Sequence, residues 1–231
     1  MGNKEFEYSA DGLSTEHYTP FLDDEKFESA YCKAIYPLDP DEVNVRYRGY
    51  ILKWAVSQVR GIEGNFVECG VYDAKAATLI LNLENLKATK RKFLLIDTFS
   101  GIPQKGLTDR EKDLGYEGRY ADITLPQVKV KLKNYLDVVE FHEGVIPDVF
   151  EDLVLESVAF LHLDLNAAHP TKSSLDFFYP NLSAGGIIIF DDYGWEGYED
   201  QRILVDKFFS DKPEEILVLP TGQGLVIKKP I

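Results

Sequence analysis

The sequence of 231 residues is poor in cysteine, in long apolar runs and in positive charge. Its only cysteines, Cys32 and Cys69, do not indicate a disulfide framework, and Cys69 lies in an apolar run typical of a buried strand. No apolar run reaches the ~20 residues that a membrane-spanning helix needs. With 39 acidic and 25 basic residues the net charge is −14, which disfavours nucleic acid and membrane partners.

The N-terminal residues lack the apolar segment of a secretory signal, and we therefore expect a cytoplasmic protein. The length fits one structural domain with a substantial core. We expect residues 1–60 to form an extended arm and helices packed on the core, with helices near 23–35 and 41–61. Residues 61–231 are expected to form the functional part of the domain.

Strands and helices alternate from Asn65 onwards, with helices expected over 74–86, 147–153, 172–179 and 196–209. The predicted strands are Asn65–Cys69, Lys92–Asp97, Val138–His142, Phe160–Asp164, Gly185–Asp191, Glu215–Leu219 and Gly224–Lys228. The alternation predicts an α/β fold with a doubly wound, mainly parallel sheet, closed by a hairpin of the last two strands.

Acidic residues end two of these strands: Asp164 ends one, and the pair Asp191–Asp192 ends the next. Ligands of open α/β sheets bind outside the carboxyl ends of the strands. Three carboxylates there would suit a hard cation such as Mg²⁺. The alternative is that they cap the following helices, but an adjacent Asp pair is more than one cap requires.

A turn for a small ligand is expected at Gly70, where glycine permits close backbone approach. Asp97 ends the next strand and could hold the hydroxyls of a ribose. A dinucleotide fingerprint would need glycine at positions that hold Tyr72 and Lys75, so an NAD enzyme is disfavoured. Glu68 suits a cationic ligand, and S-adenosylmethionine carries a ribose, an ammonium and a sulfonium without phosphate.

The polar segment Ser100–Leu125 follows the second strand of the alternation and is rich in glycine and charge. A structureless segment of this length within a compact domain is usually functional or disordered. We expect it to overhang the carboxyl edge of the sheet as a substrate lid.

Five sequence blocks together resemble the macrocin O-methyltransferase family over roughly residues 45–228. The blocks are Val67–Tyr72, Ile96–Pro103, His162–Asp164, Phe178–Gly186 and Phe190–Gly194. The resemblance implies a class I methyltransferase (Rossmann-like) fold of seven strands with the last antiparallel. It also implies O-methylation of a sugar hydroxyl with S-adenosylmethionine and a divalent metal, Mg²⁺ or another.

The resemblance assigns roles to individual residues. The implied metal ligands are Asp164, Asp191 and Asp192. The implied cofactor-binding residues are Glu68, Gly70 and Tyr72 beside the methionine half, Asp97 and Thr98 at the ribose, Glu143 and Gly144 at the adenine, and Asp164.

The chain departs from the family at two places. The glycine-rich turn is replaced by Asp73-Ala-Lys75, which narrows the cofactor loop. The family usually reads Asp-x-Asp-x-Tyr where this chain has Asp164-Leu-Asn166-Ala-Ala168, and an Asn cannot act as the general base. We predict Asp164, Asn166 and His169 as the catalytic residues. In this prediction the amide of Asn166 orients the acceptor, and His169 is a candidate base. His142, a hydroxide on the metal and bulk water are the alternatives.

The acceptor is left open by the sequence. Tyr193, Trp195 and Tyr198 could stack on a sugar ring, or they could be core residues. A catechol or another non-sugar diol is an alternative acceptor, and a catalytically reduced cofactor-binding homologue is an alternative to an enzyme. The expected partner is a small molecule or sugar, and a homo-oligomer is left open.

Overall fold

The computed structural model describes residues 6–35, 43–154 and 156–230. The first segment contains a two-stranded antiparallel hairpin, β1 (Tyr8–Ala10) and β2 (Leu13–Thr15), where we expected only an extended arm. Two helices follow, α1 (Glu25–Ala34) and α2 (Arg46–Gln58). The predicted start of the second helix at Asp41 lies outside the described residues.

A seven-stranded sheet forms the centre of the molecule, in the order β5-β4-β3-β6-β7-β9-β8. Its strands are β3 (Asn65–Cys69), β4 (Phe93–Asp97), β5 (Val139–Glu143), β6 (Val158–Leu163), β7 (Leu182–Phe190), β8 (Leu217–Val218) and β9 (Gly224–Ile227). The pairs among β3 to β7 are parallel, whereas β9 runs antiparallel to both β7 and β8. The predicted fold class, including the antiparallel last strand, is confirmed.

The helices connecting these strands differ in detail from those predicted. They are α3 (Lys75–Leu83), α4 (Leu86–Thr89), α5 (Asp109–Asp113), α6 (Leu125–Lys131), α7 (Ala168–Phe178) and α8 (Glu199–Phe209). The helix predicted over 74–86 is two helices, because Glu84 is extended and the side chain of Asn85 caps α4 at Ala88 N. The helix predicted over 147–153 is only a short 3₁₀ turn, Asp148–Phe150.

The two faces of the sheet pack into separate apolar layers because side chains alternate along each strand. Phe66, Leu95 and Phe160 point to one layer, and Leu161 and Phe190 point to the other. Every residue of β6 is buried, as expected for a central parallel strand. Cys69 is buried as predicted, and Cys32 is exposed.

The N-terminal segment packs on α3 through an aromatic cluster. Its members, Tyr8, Phe21, Phe27, Tyr47 and Tyr50, meet mostly edge to face. This cluster holds the hairpin against the first turn of α2 and so brings both toward the carboxyl edge of the sheet. The division at residue 60 stays a prediction.

None of the helices within the described ranges combines the length and the apolar character needed to cross a bilayer.

Candidate active site

Three carboxylates meet at the carboxyl ends of β6 and β7. Asp164 directly follows β6, and Asp191 and Asp192 directly follow β7. The two strands are parallel neighbours in which Leu163 pairs with Phe190. Each carboxylate offers one oxygen within 4.8 Å of the others. The sequence prediction that these side chains converge is confirmed.

The carboxylates of this cluster differ in their electrostatic environment. Burial, followed by repulsion from Asp191 and Asp192, raises the pKa of Asp164 well above its ordinary value. Burial and the charge of Asp191 raise the pKa of Asp192 to about 7. Burial acts in the same direction at Asp191, but Arg48 and His162 outweigh it and hold the pKa of Asp191 below the ordinary value.

Asp191 is held by three side chains that sequence reasoning missed. Arg48 donates from Nη1 to Oδ2 at 2.5 Å, and Gln223 donates from Nε2 to Oδ1 at 2.8 Å. His162 Nε2 lies 3.5 Å from Oδ1. These residues come from α2, from the β8–β9 turn and from β6, so no single stretch of sequence indicates that they meet.

Glu68 and His162 form a buried pair below the carboxylates. They lie side by side on β3 and β6, with 2.9 Å between Oε1 and Nδ1. Burial alone would lower the pKa of His162, but hydrogen bonds with Asp191 and Glu68 raise it above its ordinary value. Glu68 lines an adjoining cavity of about 490 Å³ that also borders Asp164 and Tyr72.

A second cavity, of about 400 Å³, is lined by all three carboxylates and is called the main cavity for that reason. Its volume falls in the size range of small-molecule sites. Gly70 lies at its floor with φ +84°, and a Cβ there would collide with the carbonyl oxygen of Asp164. The carboxylate of Asp97 accepts backbone N–H groups of Val71 and Tyr72 at 2.6 and 3.0 Å. These hydrogen bonds fix the turn after Gly70, and glycine is required there because any side chain would collide with Asp164.

Most of the predicted site residues line this main cavity. They are Gly70, Tyr72, Asp97, Thr98, Gly144, Asp164, Asn166, Asp191 and Asp192. Glu68 and Glu143 are not among its lining residues. Their cofactor roles, like those of the lining residues, stay predictions.

The candidate bases lie apart from the carboxylates. His169 is exposed in the first turn of α7, and neither His169 nor His142, on β5, lines the cavity. Asn166 does line it and donates its amide to Asp192. Asn166 has φ +52°, a left-handed conformation that Asn tolerates better than most residues.

The aromatic residues after β7 divide between the cavity and the core. Trp195 and Tyr198 line the cavity. Tyr193 is buried, donates its hydroxyl to Asp206 and packs on Phe190, so it is a core residue. Trp195 and Tyr198 therefore remain candidates for stacking on a ligand, and Tyr193 does not.

The segment Ser100–Leu125 lies at the carboxyl edge, as predicted, and contributes Ile102, Leu107 and Tyr120 to the cavity wall. Its own helix α5 begins with a capping box between Thr108 and Glu111. The segment is pinned to the domain, because Glu111 accepts Ala168 N at 2.7 Å and Tyr116 Oη donates to Gly197 O at 2.9 Å.

Sequence comparison identifies relatives among O-methyltransferases of bacterial natural products. The chain is 29% identical over 150 residues to the 8-demethyl-8-(2,3-dimethoxy-alpha-L-rhamnosyl)-tetracenomycin-C 4'-O-methyltransferase of Streptomyces olivaceus, covering 61% of this chain and 57% of that protein. It is 27% identical over 141 residues to the demethyldecarbamoylnovobiocin O-methyltransferase of Streptomyces niveus, covering 57% and 53%. The chain thus spans little more than half the length of these relatives.

Structural comparison gives the same fold. The O-methyltransferase NovP superposes with a TM-score of 0.70 at 23% identity, covering 79% of this chain and 80% of that one. The calicheamicin methyltransferase CalS11 superposes with a TM-score of 0.69 at 18% identity, covering 91% and 94%. A more distant match, at a TM-score of 0.57 and 16% identity over 89% of this chain and 88% of that one, is the SAH-bound methyltransferase PaMTH1 of Podospora anserina. The fold is therefore that of the S-adenosylmethionine-binding class I methyltransferases.

The family comparison covers most of the part of the chain that forms the site. The family described as Macrocin-O-methyltransferase (TylF) matches residues 48–213, a span that contains the Gly70 turn, Asp97 and all three clustered carboxylates. The chain therefore belongs to the macrocin O-methyltransferase family of methyltransferase enzymes.

Proposed function

We propose that this chain transfers a methyl group from S-adenosylmethionine to a hydroxyl of a sugar, free or attached to a natural product, with a divalent cation held by Asp164, Asp191 and Asp192. The observation that carries this proposal is that the carboxylate cluster and the Gly70 turn border one cavity. The relatives support the acceptor class, since the name of the Streptomyces olivaceus enzyme specifies a rhamnosyl group on the molecule that it methylates.

The carboxylate cluster fits a hard divalent cation. Carboxylate oxygens are the ligands that Mg²⁺ prefers, and three of them lie within 4.8 Å of one another. The raised pKa values of Asp164 and Asp192 have burial as their first cause and the mutual repulsion of these carboxylates as the second. A bound cation would remove that repulsion, so the donor set and its charge both support the assignment.

The chain's own residues position the reactants. The cofactor supplies an electrophilic methyl group, and the cation, when bound, lowers the pKa of a coordinated hydroxyl. Gly70 and Asp97 shape the cofactor end of the cavity, and Trp195 and Tyr198 offer aromatic faces to a sugar ring. Leu107 and its neighbours in the Ser100–Leu125 segment exclude water from one side.

Asn166 orients the acceptor in this proposal and does not remove its proton. Its amide nitrogen donates to Asp192, which leaves the amide oxygen to accept from an acceptor hydroxyl. Burial raises the pKa values of Tyr120 and Tyr198 above that of an ordinary phenol, so both stay protonated at neutral pH and serve as donors. Neither Asn166 nor these tyrosines can then accept the proton of the acceptor hydroxyl, so its removal depends on a lowered pKa of that hydroxyl.

Calorimetry with S-adenosylhomocysteine, with and without Mg²⁺, tests the cofactor and the cation separately. We expect S-adenosylhomocysteine to bind in both conditions and Mg²⁺ to bind the cofactor-loaded protein. Methyl transfer to a panel of nucleotide sugars and glycosylated aglycones is then followed with labelled S-adenosylmethionine. Full activity after EDTA treatment would contradict the role of the cation, and cofactor binding without any turnover would favour a catalytically reduced homologue.

Asn166→Asp tests the orienting role, because it restores the family pattern. We expect no large gain in rate on the native acceptor, since the new carboxylate would face Asp192 and lose the amide donor. A gain of tenfold or more would show that the chain lacks a base that its relatives use.

A further inference from the structure

Arg48 occupies an unusual position for a basic residue. It lies in the first turn of α2, where a positive charge opposes the helix dipole, and its side chain is only 20% exposed. A buried guanidinium needs carboxylate partners to offset its desolvation. The carboxylates that pair with Arg48 therefore stabilise its charge at this buried position.

The guanidinium of Arg48 bridges two carboxylates from distant parts of the chain. It donates from Nη1 to Asp191 Oδ2 at 2.5 Å. It also donates from Nε and Nη2 to the two oxygens of Asp11, at 2.8 and 3.3 Å. The ring of Trp195 lies below it, 5.3 Å from the guanidinium carbon. This forked geometry fixes the guanidinium in one place, as a single ammonium could not.

Asp11 reaches Arg48 from the turn of the N-terminal hairpin. Asp11 and Gly12 both have left-handed backbones, with φ +53° and +74°, and the Asp11 side chain is 9% exposed. Tyr8 anchors the hairpin by donating its hydroxyl to Asn44 O at 2.9 Å. Asp11 and Arg48 both line the main cavity.

The hairpin lies outside the part of the chain that the family match covers, because that match begins at residue 48. We propose that Asp11 and Arg48 are positioning residues of the cation site: Asp11 holds Arg48 in place, and Arg48 orients the carboxylate of Asp191. This inference rests on the proposed function, since it assigns the pair to the proposed cation site.

The charge of Arg48 explains why Asp11 is needed. A guanidinium next to Asp191 orients that carboxylate, but its positive charge also repels a divalent cation. Asp11 binds two of the guanidinium N–H groups and neutralises the charge, so that orientation is kept and repulsion is reduced. Without Asp11 the guanidinium is free to turn further onto the clustered carboxylates and compete with the cation for them.

The test is Mn²⁺ binding to the full chain, measured by electron paramagnetic resonance without acceptor. We expect Asp11→Asn to weaken Mn²⁺ binding by about tenfold or more and to leave S-adenosylhomocysteine binding in the absence of metal unchanged. Asp11→Glu, which keeps the charge, should restore most of the affinity. Asp24→Asn is the matched control: it removes another N-terminal carboxylate that pairs with α2, through Lys53, away from the main cavity.

A double-mutant cycle shows whether Asp11 acts through Arg48. Arg48→Lys keeps the charge but loses the fork, and we expect it to weaken Mn²⁺ binding to a similar extent. In that background Asp11→Asn should have little further effect. Unchanged Mn²⁺ affinity in Asp11→Asn, or fully additive losses, would overturn the proposal. If the unaltered chain binds no Mn²⁺, the cation site itself is wrong and the inference fails with it.

Discussion

Two clusters of buried charge lie at opposite ends of β7, and they are built in opposite ways. At its carboxyl end stand Asp191 and Asp192 with Asp164 beside them. Toward its amino end, in the first half of the strand, the backbone of Gly185 and Gly186 pairs with Lys228, whose side chain lies beside Glu214. Both Lys228 and Glu214 are buried, as are Asp191 and Asp192 at the other end.

The cluster at the amino end is satisfied by its own partners. Glu214 accepts the hydroxyl of Tyr179 at 2.7 Å and the backbone N–H of Lys229 at 3.0 Å. Lys228 Nζ lies 3.9 Å from Glu214 and 3.2 Å from the centre of the Tyr179 ring. Burial acts to raise the pKa of Glu214, but these hydrogen bonds outweigh it and lower that pKa. Because these polar groups have partners within the chain, we expect the cluster to contribute to the stability of the fold.

The cluster at the carboxyl end has more negative charge than its partners neutralise. Arg48 compensates Asp191, while Asp164 and Asp192 keep raised pKa values. Buried charges that a protein leaves uncompensated are typical of functional sites. From this difference we expect the amino end to contribute to stability and the carboxyl end to bind a ligand, and substitutions can test that division.

The largest expected effect is on catalysis at the carboxyl end. Asp164→Asn and Asp192→Asn should each lower the rate of methyl transfer by roughly 10³-fold, because loss of a cation ligand removes several kcal/mol of transition-state stabilisation. Initial rates at saturating Mg²⁺ measure this. Asp176→Asn, at an exposed ion pair with Lys172 on α7, is the control. Rates within threefold of the unaltered chain would show that the carboxylates are not required.

The corresponding change at the amino end should affect stability and not catalysis. Glu214→Gln should lower the free energy of unfolding by about 2 kcal/mol, because Lys228 loses its carboxylate partner. Denaturant unfolding at pH 7 measures this. Because the folded-state pKa of Glu214 is lowered, its contribution is present above the ordinary value of 4.5 and is lost as the pH falls through the folded-state pKa.

The difference between Glu214→Gln and the unaltered chain should therefore narrow in acid. Methyl transfer per folded molecule should be unchanged in this variant. A loss of activity at full folding would break the division of roles between the two ends.

Much of this division could be predicted from the sequence, because its signals are local. The apolar runs that end on Asp164 and on Asp191 predicted both the parallel strands and the convergence of their carboxylates. The helix α5 was missed because the whole segment Ser100–Leu125 was interpreted as a loop, although Thr108 and Glu111 have the spacing of a capping box. The helix α6 was missed because no element was predicted between Leu125 and Val138, although Thr124-Leu-Pro-Gln127 has the residues of a helix start. Errors of this kind could have been avoided from the sequence alone, because the residues that start a helix were present.

The partners of the carboxylates could not be predicted in the same way. Asp11, Arg48, His162 and Gln223 lie on four separate elements, and only the strand register and the packing of α2 bring them together. Glu68 and His162 pair because β3 and β6 are neighbours, which sequence order does not show. The sequence therefore predicted the residues that carry the excess charge and missed those that balance it.

An effect of similar size and opposite sign is expected for Asp192→Asn on the stability of the metal-free protein. The pKa of Asp192 is raised from 3.8 to about 7, so its contribution to stability is fully present below pH 3.8 and is lost as the pH rises through about 7. Asp192→Asn should remove this loss and raise the free energy of unfolding at pH 8 by on the order of 2 kcal/mol. This pH dependence is opposite in sign to that of Glu214.

Unfolding in EDTA at pH 4 and pH 8 measures this effect. At saturating Mg²⁺ the order should reverse, because the unaltered chain gains stability from a bound cation that the variant holds poorly. A variant less stable than the unaltered chain in EDTA at pH 8 would contradict the interpretation that the carboxylates repel one another.

The smallest effect is expected at His169, which sequence spacing made a candidate base. His169 is exposed in the first turn of α7 and does not line the cavity, whereas Asn166, three residues earlier, does. We therefore expect His169→Ala to change turnover by less than about twofold and to leave the pH dependence of the rate unchanged. Loss of a true general base would cost roughly 10²-fold or more and would remove the corresponding pKa from the profile. Such a loss would mean that His169 moves into the cavity when ligands bind. Without that loss, proton removal in this chain depends on lowering the pKa of the acceptor hydroxyl.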